Sequence, residues 1–374
     1  MEYTLLKNIA VITMGQSPSS SSYNEEGVGI PFYQGNADFG ELYPTARIWC
    51  NEPKKIANKN DILISVRAPI GALNYATEQC CIGRGLASIT VKDEVLRNYV
   101  FRLLKANRNK LINQGSGSTF KAIGKSNLEE LRIPIVDEMT QKKIMNLMDA
   151  TEQIIRQRQI ELQLFDDLIK ARFVEMFGHQ SHNEKGLPYL TIDDVAEIYL
   201  GITHTPTYVN QGVMFISAKN TSGDFLDLSD VKYISREEFE KAPKGSKPQV
   251  NDILFSRVGS NLGHPVILEE DLELCTFVSL GFLRTKGKVT SNYLKHWMRD
   301  DFFSNQVKEH VKGGGQPNLN TGWLKEFKII VPNIELQKVF DKFCRQVDKS
   351  KAAVQKALDE TQLLFDSLMQ EYFG

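Results

Sequence analysis

The sequence predicts an α+β protein with two globular, β-rich parts, each followed by a long helix. The two helices are expected to pair as an antiparallel coiled coil with pseudo-twofold symmetry. Two observations lead to this fold: the chain repeats itself after about 190–200 residues, and each copy ends in a long heptad pattern, which in the second copy is interrupted at Thr361. The predicted segments are a globular part at 1–138, a helix at 139–178, a linker at 179–188, a second globular part at 189–334 and a second helix at 335–374.

The repeat covers a whole module, because matching segments keep the same order in both copies. They include LKNIAVITMG at Leu6 and IDDVAEIYLG at Ile192, NDILISVRAPIG at Asn60 and NDILFSRVGSNLG at Asn251, NYVFRLL at Asn98 and NYLKHWM at Asn292, and LFDDLIKARF at Leu164 and LFDSLMQEYF at Leu364.

Each globular part is predicted to contain many short strands. The Asn-Asp pairs at Asn60 and Asn251 are turn signals, and each precedes a short apolar run typical of a buried strand. A helix is expected at Leu96–Asn109, where apolar residues recur with helical spacing.

The long helices are predicted from heptad patterns of apolar residues. No proline or glycine occurs between Gln141 and Phe177. The seven-residue spacing predicts paired apolar stripes, and each helix would be a stiff spacer roughly 55 Å long. Two similar heads held by such spacers suit a two-fold related ligand such as duplex DNA. The stripe residues are Met148, Ile155, Leu162 and Ile169, widened by Ile144, Leu147, Ile154, Phe165 and Leu168, and then Phe340, Val347, Val354 and Leu368.

Bulk composition indicates an ordinary globular protein of two or three domains. The chain has 374 residues, 41% hydrophobic and 24% charged, with a net charge of −1. We expect no membrane segment and no signal peptide, and hence a cytoplasmic location. The five scattered cysteines argue against a zinc site or a disulfide framework.

Catalytic motifs are not recognisable in the sequence, so we expect no catalytic residue and no metal site. The stretch GSGSTFKAIGKS, from Gly115 to Ser126, ends like a nucleotide-binding phosphate loop, but Thr119 stands where that motif requires its first glycine. It lies at the end of a run from Arg97 to Lys125 that contains seven basic residues and no acidic one.

Several strings resemble those of one family. The first copy contains Gly15-Gln-Ser-Pro, Gln34-Gly-Asn, Arg67-Ala-Pro-Ile-Gly and Ile82-Gly-Arg-Gly, and the second contains GGGQPNLN from Gly313. Together they resemble the specificity (S) subunit of type I restriction-modification enzymes, over nearly the whole chain. The second copy departs from the pattern, with Gly201-Ile-Thr-His and Phe277-Val-Ser-Leu-Gly at the matching places, as expected if the two copies read different sequences.

The resemblance implies that the globular parts are target-recognition domains, each reading one half of a bipartite site in double-stranded DNA. The helices would set the gap between halves and dock two copies of a methyltransferase (M) subunit. S-adenosylmethionine is expected on that partner, which would methylate a flipped adenine at N6, and no cofactor is expected on this chain. A restriction and translocase (R) subunit would join for cleavage.

Most candidate DNA-binding residues are polar or basic side chains in loops, because base readout requires hydrogen-bond donors and acceptors, and glycine-rich loops allow close approach to phosphate. In the first part they are Gln16, Ser17, Ser19, Tyr23, Gln34, Asn36, Arg67, Arg84, Ser116, Ser118, Lys121 and Lys125. In the second part they are Thr203, His204, Thr205, Lys219, Asn220, Arg257, Ser260, Asn261, Gly314, Gln316 and Asn318.

Two alternatives belong to other functional classes. A self-sufficient methyltransferase or nucleotide-dependent enzyme would bind S-adenosylmethionine or ATP as the purified chain. A structural coiled-coil or DNA-binding protein outside restriction would capture no methyltransferase partner, and a purely structural one would show no salt-dependent retention on DNA.

Overall fold

A computed structural model describes residues 2–115, 121–259, 261–311 and 317–373. The chain folds as two compact units, one of Met1–Gln159 with Lys356–Gly374 and the other of Ile160–Gln355. Each long helix therefore contributes to both units. The boundaries between the units lie within the long helices and do not coincide with those of the five predicted segments. The predicted recognition domains and spacer helices stay predictions.

The first unit carries the N-terminal copy of the repeat. Its strands are β1 (Glu2–Leu5), β2 (Val11–Met14), β3 (Tyr23–Asn24), β4 (Ile30–Tyr33), β5 (Trp49–Cys50), β6 (Ile56–Ala57), β7 (Ile62–Ser65), β8 (Leu73–Tyr75), β9 (Cys80–Ile82), β10 (Leu86–Thr90) and β11 (Arg132–Ile135). Its helices are α1 (Leu6–Ile9), α2 (Glu94–Ala106), α3 (Arg108–Gln114), α4 (Lys125–Glu129) and the first part of α5 (Glu138–Phe177).

Three sheets organise these strands. The order β2-β10-β7-β8 is antiparallel throughout, and the order β3-β5-β4-β9-β6 contains one parallel pair, β4 with β9. The third sheet pairs β1 with β11 and so joins the two ends of the globular part. The unit is thus β-rich, as predicted.

Helix α2 differs from the predicted Leu96–Asn109 at both ends. It begins at Glu94 because the Asp93 carboxylate accepts the backbone N–H of Leu96 at 2.8 Å and caps the helix. It ends at Ala106, and the buried Asn107 separates it from α3.

The second unit repeats this arrangement. Its strands are β12 (Tyr189–Thr191), β13 (Ala196–Leu200), β14 (Tyr208–Val209), β15 (Val213–Ile216), β16 (Lys232–Ile234), β17 (Ile253–Ser256), β18 (Pro265–Ile267), β19 (Leu274–Thr276), β20 (Leu280–Thr285) and β21 (Lys328–Ile330). Its helices are α6 (Ile192–Val195), α7 (Arg236–Lys241), α8 (Ser291–Met298), α9 (Asp301–His310), α10 (Thr321–Glu326) and the first part of α11 (Ile334–Phe373).

The sheets of the second unit largely repeat those of the first, but β14-β16-β15-β19 has four strands where β3-β5-β4-β9-β6 has five. The order β13-β20-β17-β18 matches β2-β10-β7-β8, and the parallel pair β15 and β19 matches β4 and β9. The short pair β12 and β21 corresponds to β1 and β11.

The Asn-Asp turns have the same geometry in both copies, which confirms the repeat at atomic level. Asn60 and Asn251 have φ angles of 70° and 71°, a left-handed conformation that asparagine tolerates better than most residues. The buried Asp61 and Asp252 that follow each accept a backbone N–H, from Asn58 at 2.8 Å and from Gln249 at 2.7 Å.

In the second unit the two long helices run antiparallel. Asp166 of α5 forms an ion pair with Lys351 of α11. Further along, the rings of Phe173 and Phe340 lie 5.5 Å apart between centroids. Residue numbers rise along one helix as they fall along the other, which establishes the direction.

In the first unit the end of α11 packs into the core beside the start of α5. Phe373 is 2% exposed and lies 5.1 Å from the Tyr99 ring, between centroids. Its carbonyl oxygen accepts a hydrogen bond of 2.8 Å from the Asn107 side chain. The residues that α5 and α11 contribute to this core are Ile144, Met145, Met148, Ile155, Phe365, Leu368 and Phe373.

The predicted stripe on α5 is only partly core. Met148, Ile155 and Ile169 are buried as predicted. The neighbouring row behaves differently, since Leu147 and Leu168 are 42% and 47% exposed. Ile154, in the same row, is 41% exposed. These three residues therefore form an exposed apolar row on α5, next to the buried one.

Candidate nucleic-acid interface

Five of the predicted first-domain residues line one concave site. It has a volume of about 230 Å³ and is completed by Gly35, Ala68 and Gly85. The five come from four separate stretches of the sequence, which folding brings together. They are Ser17, Gln34, Asn36, Arg67 and Arg84.

Strand order explains this convergence. Gln34 follows β4 and Arg84 lies two residues after β9, and these strands are parallel neighbours that end at the same edge. Arg67 lies two residues after β7, where the N–H of Val66 donates to the Gly85 carbonyl at 2.9 Å. Arg67, Gln34 and Arg84 are all exposed.

The turn that carries Gln34 and Asn36 is held by two residues that sequence reasoning missed. The Asp38 carboxylate accepts the N–H of Gln34 at 2.7 Å and pairs with Arg47 at 2.6 Å. Arg47 also donates to the Ala37 carbonyl at 2.9 Å. The Asp38 carboxylate also accepts the N–H of Gly35 at 3.4 Å, but Gly35 lacks the side chain of the usual capping motif, so no standard sequence motif pointed to Asp38.

The serine-rich loop lies against the same site. The Ser17 hydroxyl accepts the N–H of Arg84 at 3.3 Å, and the Tyr23 hydroxyl donates to the Pro18 carbonyl at 2.9 Å. Burial raises the pKa of Tyr23, while the charge of Arg84 and a hydrogen bond with Ser17 act in the opposite direction. Ser17 and Tyr23 therefore shape the loop around Arg84.

Gln16 and Ser19 complete the predicted set in this loop. Both are exposed, and the Ser19 hydroxyl lies 2.9 Å from that of Ser21.

The glycine-rich segment is described only in part. Ser116 and Ser118 lie outside the described residues. Lys121 and Lys125 are exposed, and Lys125 forms an ion pair of 3.4 Å with Glu129. The helix that starts at Lys125 has only five residues, which is shorter than the helix that follows a nucleotide-binding phosphate loop.

The basic run before this segment is not one free basic face. Arg97 pairs with Glu94 at 3.5 Å. Arg102 pairs with Asp149 and Glu152 of α5, and Glu152 also lies 3.7 Å from Lys105. Much of the positive charge in α2 is therefore neutralised by acidic residues nearby.

The second-domain candidates are more dispersed. Thr203, His204 and Thr205 are exposed after β13, and the His204 ring lies 3.5 Å from the Glu238 carboxylate. Lys219 pairs with Asp230 at 2.7 Å.

Two further second-domain candidates, Asn261 and Asn318, are exposed. Ser260, Gly314 and Gln316 lie outside the described residues.

Asn220 and Arg257 face inward. Asn220 is 3% exposed, and its side chain bonds to the Ser217 N–H at 3.0 Å and to the Asp227 carbonyl at 2.9 Å. The Arg257 guanidinium donates to the carbonyls of Val278 and Leu319 at 3.0 and 3.3 Å, and burial lowers its pKa. These contacts hold the loops in place, so we leave both residues out of the proposed DNA surface.

Within the described ranges, no group of three or more histidine, cysteine, aspartate or glutamate side chains is arranged to hold a metal ion. Among the helices that the structure describes, none combines the length and apolar character of a membrane span.

Comparison with known proteins gives a consistent result. The family model described as "Type I restriction modification DNA specificity domain" matches residues 1–164 and 184–361. The putative type I restriction enzyme MjaX specificity subunit of Methanocaldococcus jannaschii is 47% identical over 38% of this chain, a match that spans only 34% of that relative. The MjaIX specificity subunit of the same organism is 21% identical over 87% of this chain and 82% of its own length.

One solved structure supports the fold across the whole chain. The crystal structure of the type I restriction-modification system S subunit from M. genitalium covers 100% of this chain and 96% of its own, with a TM-score of 0.58. At 15% sequence identity this similarity shows the fold alone.

Proposed function

Because this chain belongs to the type I restriction modification DNA specificity family, we propose that it is the DNA sequence-recognition subunit of such a complex. The observation that carries the proposal is the concave site in the first unit, where two arginines and two side-chain amides meet. Arginine and amide side chains form the bidentate hydrogen bonds by which proteins distinguish base edges in the major groove. The repeated fold supplies a second unit, and the two units would read the two halves of a bipartite site.

The long helices would set the gap between the half-sites. Each has 40 residues, about 60 Å of helix, and each contributes to both units. A change in helix length would therefore alter the distance between the two reading surfaces without touching either of them.

The helices would also dock the methyltransferase subunits. The first leucine of the repeated string Leu-Phe-Asp-x-Leu is exposed in both units, Leu164 at 59% and Leu364 at 53%. The adjacent Phe365 is only 9% exposed and packs into the core, so the exposed leucines point the other way. Two equivalent exposed leucines favour two copies of one partner.

The chemistry would reside on the partners. The methyltransferase subunits would bind S-adenosylmethionine and methylate an adenine at N6 after flipping it from the duplex. A restriction and translocase subunit would join the same assembly. This chain would bind DNA, choose the site and orient the partners over it.

Lengthening both helices tests the spacer role. We expect one heptad inserted after Gln159 and one after Gln355 to lengthen the gap by about three base pairs, because seven residues add roughly 10 Å and a base pair rises 3.4 Å. A heptad preserves the register of the helix seam. The methylated motif, obtained by sequencing DNA from cells that express the variant complex, gives the gap and both half-sites.

The result depends on which part of the motif changes. A longer gap between unchanged half-sites supports the spacer role. Altered half-site bases with an unchanged gap contradict it. A heptad in one helix alone is the control, and it should disrupt the complex because the helix pairing loses its register.

A further inference from the structure

The two units differ at positions that the fold makes equivalent. In the first unit the N–H of Val66 donates to the Gly85 carbonyl at 2.9 Å, and Val66 accepts the N–H of Ile123 at 3.0 Å. In the second unit Arg257 makes the same two bonds, to Ser279 at 2.9 Å and from Leu319 at 2.8 Å. Arg257 therefore occupies the place of Val66.

The equivalents of the two exposed arginines follow from this register. Arg67 forms an isolated bridge with Ala122, and Val258 forms the matching bridge with Asn318. Arg84 precedes Gly85 as Val278 precedes Ser279. The second unit thus has valine at both positions where the first unit presents an arginine.

The two arginines of the first unit have different surroundings. Arg84 lies beside Ser17 and Tyr23, in the loop where the two copies diverge in sequence. Arg67 forms its backbone bridge with Ala122. Ala122 follows the exposed Lys121, in the segment after the glycine-rich turn. Among the described residues neither arginine has an ion-pair partner, so both guanidinium groups can take a ligand.

We propose that the half-site read by the first unit contains a guanine bound by Arg84 and that Arg67 binds the DNA backbone. Arg84 shares the concave site with Gln34 and Asn36, whose amides match the edge of an adenine beside that guanine. Arg67 and Lys121, the residue before its bridge partner Ala122, are both positively charged, as phosphate binding requires. The second unit reads its half-site without an arginine at these two positions. This inference rests on the proposed function.

Two substitutions separate the roles of the arginines. In the complex with the methyltransferase subunit, Arg84→Ala should reduce the preference for guanine at one position of one half-site by about tenfold or more, with the gap and the other half unchanged. Arg67→Ala should weaken binding to all sequences and lower the slope of log affinity against log salt by about one. Arg156→Ala is the control, because Arg156 is an exposed arginine of the same unit that pairs with Glu41 outside the concave site.

The readouts are the methylated motif in cells and duplex binding at several salt concentrations. A guanine lost from one half-site with Arg84→Ala, and an unchanged motif with Arg67→Ala, support the inference. An unchanged motif with Arg84→Ala, or loss of a base preference with Arg67→Ala, overturns it. Arg84→Lys is a second test in case the alanine variant misfolds. Lysine keeps the positive charge but cannot form the bidentate contact, so this variant should also reduce the preference for guanine.

The wild-type complex distinguishes two kinds of failure. A bipartite motif in which neither half contains guanine on either strand overturns the inference and leaves the proposed function standing. Absence of any bipartite motif overturns both.

Discussion

Leu164→Glu is expected to leave the complex with one methyltransferase subunit instead of two, and Leu364→Glu should have the same effect. The two leucines are equivalent in the repeat, each exposed in a different unit. A carboxylate at the centre of an apolar contact would have to be desolvated without a partner, which is strongly unfavourable. The double variant should bind no methyltransferase subunit. Native mass spectrometry of the co-expressed complex measures the number of copies.

Ile160→Glu is the matched control for this prediction. Ile160 is 60% exposed and lies one helical turn before Leu164, but the equivalent residue of the other copy is Glu360. A docking surface shared by both copies should therefore tolerate a glutamate at this position. If Ile160→Glu removes a subunit as readily as Leu164→Glu, or if neither leucine variant changes the stoichiometry, the proposed docking surface is wrong.

Phe373→Ala should destabilise the first unit by about 3–5 kcal/mol, the cost typical of removing a buried phenylalanine. Phe373 lies near the end of the chain, yet it packs on Tyr99 within the core formed by the N-terminal copy. Hydrogen exchange should show faster exchange of the amides of α2 in the first unit. Protection of α8 in the second unit should change much less.

Leu363→Ala provides the comparison, because Leu363 lies on the same helix but is 70% exposed. Its effect on the free energy of unfolding should stay within about 0.5 kcal/mol. Equal effects of the two substitutions would mean that the end of α11 is not part of the first unit's core.

Much of the fold was predictable because the chain contains two copies of one pattern. The Asn60 and Asn251 turns, the strands after them and the two long helices all have local signals in both copies. Periodicity alone could not tell which apolar row of α5 is covered. Met148 and Leu147 are adjacent in sequence and both apolar, but only packing against other elements buries the first and leaves the second exposed.

The candidate site was predictable to a similar extent. Loop position and residue type identified Gln34, Arg67 and Arg84, which the structure brings together. The same reasoning selected Arg257, whose direction depends on carbonyl groups contributed by two distant loops. Side-chain direction in a loop is set by such long-range contacts, and a single sequence carries no local signal for them.

The proposed role in DNA recognition can be tested by sequencing modified bases in a host that expresses this chain with a methyltransferase subunit. Two units that each read half of a site predict adenine methylation at one motif made of two short sequences and a gap of fixed length. Omitting this chain should abolish that methylation. Methylation at an uninterrupted motif, or methylation that does not depend on this chain, would contradict the account.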